Sequence, residues 1–205
     1  MLEEFIKNKH TYKNEDRDFV EWHKGQKRYA IWAIEVENKQ WLNQLAFARE
    51  ILQQYLLQGQ QRTMHITLFA CGFYEECVEL IELQKLTLKN SDLEVFKLGL
   101  SGLDSFLSAP FFSISDATNS INNIRAILEK HMNEDRSGVY CPHLTVGQYN
   151  DAHSTVKLSE IIEACKGLSM AEVLVKKISL MTYDTKSIFS PLHTEFEIKL
   201  VEECD

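Results

Sequence analysis

No apolar run among the 205 residues is long enough to cross a bilayer, which argues against a membrane-spanning chain. The N-terminal MLEEFIKNKH carries no apolar signal-peptide core, so a cytoplasmic location without membrane partners is expected. Cysteine is sparse, five residues with no C-x-x-C pair, and this supplies neither a disulfide framework nor a zinc site. Positive charge is short too: 22 Lys and Arg stand against 30 Asp and Glu, for a net charge of −8. That deficit argues against a broad groove for long RNA or extended duplex nucleic acid. The sequence also lacks H-E-x-x-H, a Walker loop, a dinucleotide-binding glycine fingerprint and G-x-S-x-G. No cofactor and no metal are therefore expected, and the chain is expected to act as a monomer.

What is present is a short pattern that occurs twice, His65-Ile66-Thr67-Leu68 and His143-Leu144-Thr145-Val146, each inside an apolar, strand-like stretch. Alternate side chains share a face of an extended strand, so each copy sets an imidazole and a hydroxyl on one side and two apolar residues on the other. Chance supplies only about 0.2 such patterns in a chain of this composition, which makes two informative. Two imidazoles can divide proton transfer between them, one as base and one as acid, and two hydroxyls can donate to the non-bridging oxygens of a phosphate. The remaining histidines, His10, His23, His131, His153 and His193, have no repeated context and default to structural or surface roles.

The surrounding periodicity repeats as well. Strand patterns at 29–37, 65–73 and 93–100 enclose helical patterns at 40–57 and 74–86. The series then restarts, with strands at 110–115, 141–149 and 173–183 enclosing helices at 117–132 and 154–166, and Asp116 reads as an N-cap. Both halves read β-α-β-α-β with the histidine pattern on the middle strand. Such self-similarity predicts a duplicated unit whose copies pack about a pseudo-twofold axis, bringing the two patterns face to face. A last alternating strand, 194–201, would close one sheet.

These paired motifs, the segment 96–106 (FKLGLSGLDSF) between them and Tyr140-Cys141-Pro142 ahead of the second copy resemble the 2H phosphoesterase superfamily. The resemblance is nearest to its bacterial 2'-5' RNA ligase and RNA 2',3'-cyclic phosphodiesterase branch and spans roughly residues 29–200. It implies an α+β, bilobal fold with two pseudo-symmetric lobes whose antiparallel sheets flank a central cleft. The first lobe would centre on 29–100 and the second on 110–183, after an N-terminal extension of 28 residues. Carried over by position, His65 and His143 would be the acid/base pair, and Thr67 and Thr145 would bind the phosphate. The implied activity is metal-independent hydrolysis of 2',3'-cyclic phosphate RNA ends or 2'-5' linked nucleotides, with ATP-independent 2'-5' ligation as its reverse. Cleavage of a cyclic oligonucleotide signal is an alternative, and so is a catalytically inactive nucleotide-binding module.

Strand parity extends the expected cleft wall to Phe69 and Tyr149, which could stack on a base or simply pack in the core. Arg62 and Arg136 could meet phosphate oxygens or remain solvated, and Tyr29 and Tyr183 could reach the rim. In the extension, the cluster 22–28 (WHKGQKR) would form either a lid or the end of an outer helix, 15–23, that packs Phe19 and Trp22 on a lobe.

Overall fold

The computed structural model describes residues 2–60, 62–136, 138–165 and 172–202. Two short helices, α1 (Leu2–Phe5) and α2 (Val20–His23), precede β1 (Arg28–Glu35), α3 (Lys39–Leu52), β2 (His65–Phe73) and α4 (Tyr74–Lys89). The chain continues through β3 (Phe96–Ser105), β4 (Pro110–Ser115), α5 (Ser120–Leu128), β5 (His143–Thr145) and α6 (Thr155–Ala164). It ends with β6 (Glu172–Val175), β7 (Lys177–Asp184) and β8 (His193–Lys199). The result is an α+β fold of two lobes, each built on a four-stranded antiparallel sheet, ordered β2-β1-β7-β8 and β5-β4-β3-β6.

The buried positions of the long helices explain why they form where they do. In α3 they are Trp41, Leu45, Ala48 and Leu52, and in α4 Cys77, Ile81, Gln84 and Leu88, each a 4-3-4 spacing that makes one stripe. Asn38 caps α3 by accepting from the amides of Gln40 and Trp41. Gln84 occupies an apolar position because it accepts from Trp32 Nε1–H at 2.9 Å and donates to the Leu128 carbonyl at 3.0 Å, tying α4 to β1 and α5. Asp116 serves α5 from three residues before its N-cap: Asn119 is the N-cap, while the Asp116 carboxylate accepts from the Ile121 amide at 2.7 Å. The expected helix 154–166 is helical over Thr155–Ala164, and Lys166 lies outside the described residues.

The two sheets are not built from contiguous halves of the chain. Strand β3, which ends the first β-α-β-α-β series, pairs with β4 of the second, and β7 pairs with β1 of the first. The strand expected over 173–183 is in fact two: β6 lies beside β3, and after Lys176 the chain enters the other sheet as β7. Each half thus lends its third strand to its counterpart. This leaves β2 and β5, the histidine strands, as edge strands of the two sheets, directed toward each other across the cleft.

In the N-terminal extension only Val20–His23 of the expected helix 15–23 forms. Trp22 packs on Tyr29 and Phe73 with ring centroids at 5.5 and 5.3 Å. Residues 9–14 lie along the second lobe, where the Thr11 amide donates to His153 and the Asn14 amide to Tyr149. Asp16 reaches the β7–β8 loop of the other lobe, accepting from Ser187 and from the Ile188 amide.

Candidate active site

His65 and His143 are held in the same way. The Nδ1 of His65 is 2.8 Å from the carbonyl of Thr63, and the Nδ1 of His143 is 2.7 Å from the carbonyl of Cys141, two residues upstream in each case. A carbonyl can only accept, so each Nδ1 carries the proton and each neutral ring keeps its Nε2 lone pair for the cleft. Burial pushes both imidazoles toward the neutral form. The His65 pKa falls to about 4, chiefly by desolvation, opposed by the Thr63 carbonyl and reinforced by Arg62 and His143. His143 is lowered by burial, partly opposed by Cys141, with Arg136 adding to the fall. Its ring rests edge-on against Phe106 and Phe111, which stack on each other at 4.1 Å.

Thr67 and Thr145 line one hollow together, along with His65, Arg49, Arg62, Gln60 and Gln148. On one side this opens past His65 and Thr67 into a hollow bounded by Tyr29, Tyr183, Asp135 and Arg136. On the other it opens past Thr145 into a hollow bounded by His143, Arg136 and Tyr12. The three share walls and make one cleft. A hydrogen bond from Tyr140 Oη to the Thr67 carbonyl, 2.8 Å long, fastens the approach to the second motif onto the strand of the first.

Phe69 does not face the cleft. Ala33 pairs with Thr67 and Trp32 with Phe69, so Leu68 is an extra residue, a β-bulge that resets the alternation. Beyond the bulge Phe69 and Cys71 turn into the core and Ala70 takes the cleft side. The carbonyl of Leu68 is captured by the buried guanidinium of Arg125 at 2.6 Å. Tyr149 is not a cleft wall either: it is fully buried, its hydroxyl 2.7 Å from Ser105 Oγ. The expected strand 141–149 is regular only over His143–Thr145; beyond it the Gln148 carbonyl accepts from the Leu57 amide, the Asn150 amide donates to Tyr55, and at Gly147 the chain passes so near Leu56 that a Cβ would come within 2.9 Å of that side chain. The alternation that would have put Tyr149 on the motif face therefore ends first.

Arg62 and Arg136 both reach the cleft. Arg62 donates Nε–H to the Ser190 carbonyl and lies 4.1 Å from the Tyr183 ring, while its Nη2 is buried without a hydrogen-bond partner. Burial lowers the pKa of Arg62 and of Arg49. Arg49, which sequence reasoning missed, extends from α3 to the Val146 carbonyl at 2.7 Å. A signal for it exists: it stands four residues after Leu45, at the margin of the buried stripe. Asp135 was missed too; its carboxylate accepts from Tyr29 Oη at 2.8 Å, and burial together with this bond pushes the Tyr29 pKa up. Three arginines against one carboxylate make this cleft locally basic within an acidic chain, a setting suited to a small anion. Among the described residues no three His, Cys, Asp or Glu side chains are grouped in a way that could hold a metal ion.

Comparison with known proteins adds the lineage. A sequence model of the 2'-5' RNA ligase superfamily matches residues 38–187. No curated protein is significantly similar in sequence. Among solved structures, E. coli LigT in its apo form is 12% identical, covers 86% of this chain and 99% of its own, and has a TM-score of 0.60. LigT complexed with 3'-AMP is 13% identical, covering 85% and 99%, also at 0.60. TT0787 of Thermus thermophilus is 14% identical, covering 86% and 100%, again at 0.60.

Proposed function

Because this chain belongs to the 2'-5' RNA ligase superfamily of phosphoesterases, we propose that it is a metal-independent phosphodiesterase that opens 2',3'-cyclic phosphate RNA ends or cleaves 2'-5' linked nucleotides. The observation that carries this reading is the matched pair of imidazoles, each with Nδ1 fixed by a carbonyl and each beside a threonine in one cleft. A fold shared with LigT, which has been crystallised with 3'-AMP, ATP and NADP+, supports a nucleotide ligand.

In this reading neutral His65 removes a proton from water through Nε2 as the oxygen attacks phosphorus. One ring P–O bond breaks, and the departing ribose oxygen takes a proton from Nε2 of protonated His143. The hydroxyls of Thr67 and Thr145 and the Arg62 guanidinium donate to the non-bridging oxygens, where charge accumulates. Exchange with solvent then returns the proton from His65 to His143. His65 is given the role of base because its protonated form is the more strongly disfavoured, by burial and by its neighbour Arg62. The test is hydrolysis of 2',3'-cyclic nucleotides, cyclic-phosphate RNA ends, 2'-5' oligoadenylate and cyclic dinucleotides in EDTA. Turnover that persists in chelator supports the mechanism, and no cleavage of any of them overturns it.

The pH dependence follows from the two lowered pKa values. Activity needs one neutral and one protonated imidazole, so kcat/KM falls as acid protonates the base near pH 4 and falls as the acid loses its proton below the ordinary 6.5. The free-enzyme optimum is therefore expected between about 4 and 6.5. The kcat profile should lie at higher pH, because a bound phosphate anion favours imidazolium. A kcat/KM maximum above pH 7.5 would contradict the assignment.

Arg62 has a different signature. Arg62→Ala is expected to raise KM roughly ten- to a hundredfold, the worth of a lost hydrogen bond to a charged group, and to flatten the salt dependence of KM. Steady-state kinetics at two ionic strengths checks it, with Arg62→Lys retaining most of the salt effect.

A further inference from the structure

The N-terminal extension lies before the segment matched by the superfamily, which begins at residue 38, yet it contributes to the cleft. Tyr12 is 62% exposed and borders the hollow that holds His143 and Thr145. Its backbone, by contrast, is pinned: the Tyr12 amide donates to the Leu107 carbonyl at 2.7 Å, and the Thr11 amide to His153 at 2.9 Å. Asn14 Nδ2 donates to Ser108 and Tyr149, both at 2.9 Å. Asp16 then anchors the segment to the opposite lobe at Ile188, a residue that itself lines the central hollow. The extension is thus a strap between the lobes that carries an exposed aromatic ring at the cleft. Val139, 98% exposed, borders the same hollow from the loop ahead of the second motif.

We propose that Tyr12, with Leu107 and Val139, forms a nucleobase-binding subsite on the His143 side of the cleft. A base offers two flat apolar faces and a polar edge. The ring and the two aliphatic side chains suit the faces, and the amide of Gln148, in the same hollow, suits the edge. Thr145 borders both this hollow and the central one, so a nucleotide whose phosphate sits between the threonines can extend its base toward Tyr12. The hollow on the other side is less suited: the Tyr29 hydroxyl is committed to Asp135, and the Tyr183 ring is already covered by Arg62 at 4.1 Å. Because hydrogen bonds fix the backbone around Tyr12 in advance, little ordering cost opposes stacking.

The subsite rests on reading the cleft as a nucleotide phosphodiesterase site, and binding separates the two claims. Titration of the parent protein, Tyr12→Ala and Tyr12→Trp with 3'-AMP and with inorganic phosphate gives the direct test. Tyr12→Ala is expected to weaken 3'-AMP roughly five- to a hundredfold, the range for one base stack, with phosphate affinity shifting far less, while Tyr12→Trp restores 3'-AMP affinity. In turnover, the ratio of kcat/KM for a 2',3'-cyclic nucleotide over glycerol 1,2-cyclic phosphate should fall about as much in Tyr12→Ala. Equal weakening of both ligands, no weakening of 3'-AMP, or no binding of 3'-AMP by the parent overturns the subsite. A parent that binds 3'-AMP through Tyr12 but cleaves no phosphodiester keeps the subsite and overturns the phosphodiesterase reading.

Discussion

Replacing His65 or His143 by alanine is expected to lower kcat for cyclic-phosphate hydrolysis roughly a hundred- to ten-thousandfold while leaving nucleotide affinity within a few-fold of the parent. The asymmetry follows from the geometry. Each imidazole offers only Nε2 to the cleft, because Nδ1 is spent on the carbonyl two residues upstream. In the proposed mechanism phosphate binding falls instead to Thr67, Thr145 and the arginines, which either substitution leaves in place. In the same proposed mechanism acid and base act in one concerted transfer, so the double variant should be about as slow as the worse single variant rather than slower by the product of the two effects. Single-turnover kinetics with a 2',3'-cyclic nucleotide, beside equilibrium binding of 3'-AMP, measures both quantities. A variant that loses binding in proportion to turnover would move the histidines from chemistry to recognition.

Arg125→Ala is expected to destabilise the fold by about 3–5 kcal/mol, the cost of removing one partner from a buried ion pair. Arg125 is 8% exposed and bonds to the bulged Leu68 carbonyl at 2.6 Å, to Glu134 at 2.8 Å and to Glu129 at 3.2 Å, and it lies across the Tyr140 ring at 3.8 Å. Without it the Leu68 carbonyl loses the guanidinium and Glu134 keeps a largely buried charge whose remaining bond, among the described residues, is from the Ala70 amide. Thermal unfolding should show a midpoint lower by roughly 6–20 °C for a chain of this size. Adding Glu134→Gln should recover part of that loss, because the second substitution removes the stranded charge. Activity should fall in the single variant even below its melting transition, since Arg125 and Glu134 hold the segment that presents Asp135 and Arg136 to the cleft. A melting point within about 2 °C of the parent would show that the ion pair contributes no more than an exposed one.

Much of this architecture was legible from local pattern. The 4-3-4 stripes of α3 and α4, the apolar run of β1 and the repeated H-x-T strands all lie within one element, where the period of the backbone dictates which residues share a face. His65 could be placed beside Thr67, and His143 beside Thr145, for that reason. Phe69 and Tyr149 could not be placed by the same rule. The bulge at Leu68 comes from the register of β2 against β1 and from the Arg125 guanidinium waiting for its carbonyl, and beyond β5 the chain turns to pair with Tyr55 and Leu57. None of these partners is near in sequence.

The sequence by itself thus determined most of the helices and strands, the buried stripes of α3 and α4 and the residue types able to perform acid/base chemistry, because these depend on interactions within a few residues. Only the tertiary structure decided that β3 and β7 cross between the sheets and leave the two histidine strands as facing edges. It also decided that Arg49 arrives from α3 and that Tyr12 arrives on a strap fixed to both lobes. Those placements are fixed by pairing and packing between distant segments, which no local period encodes.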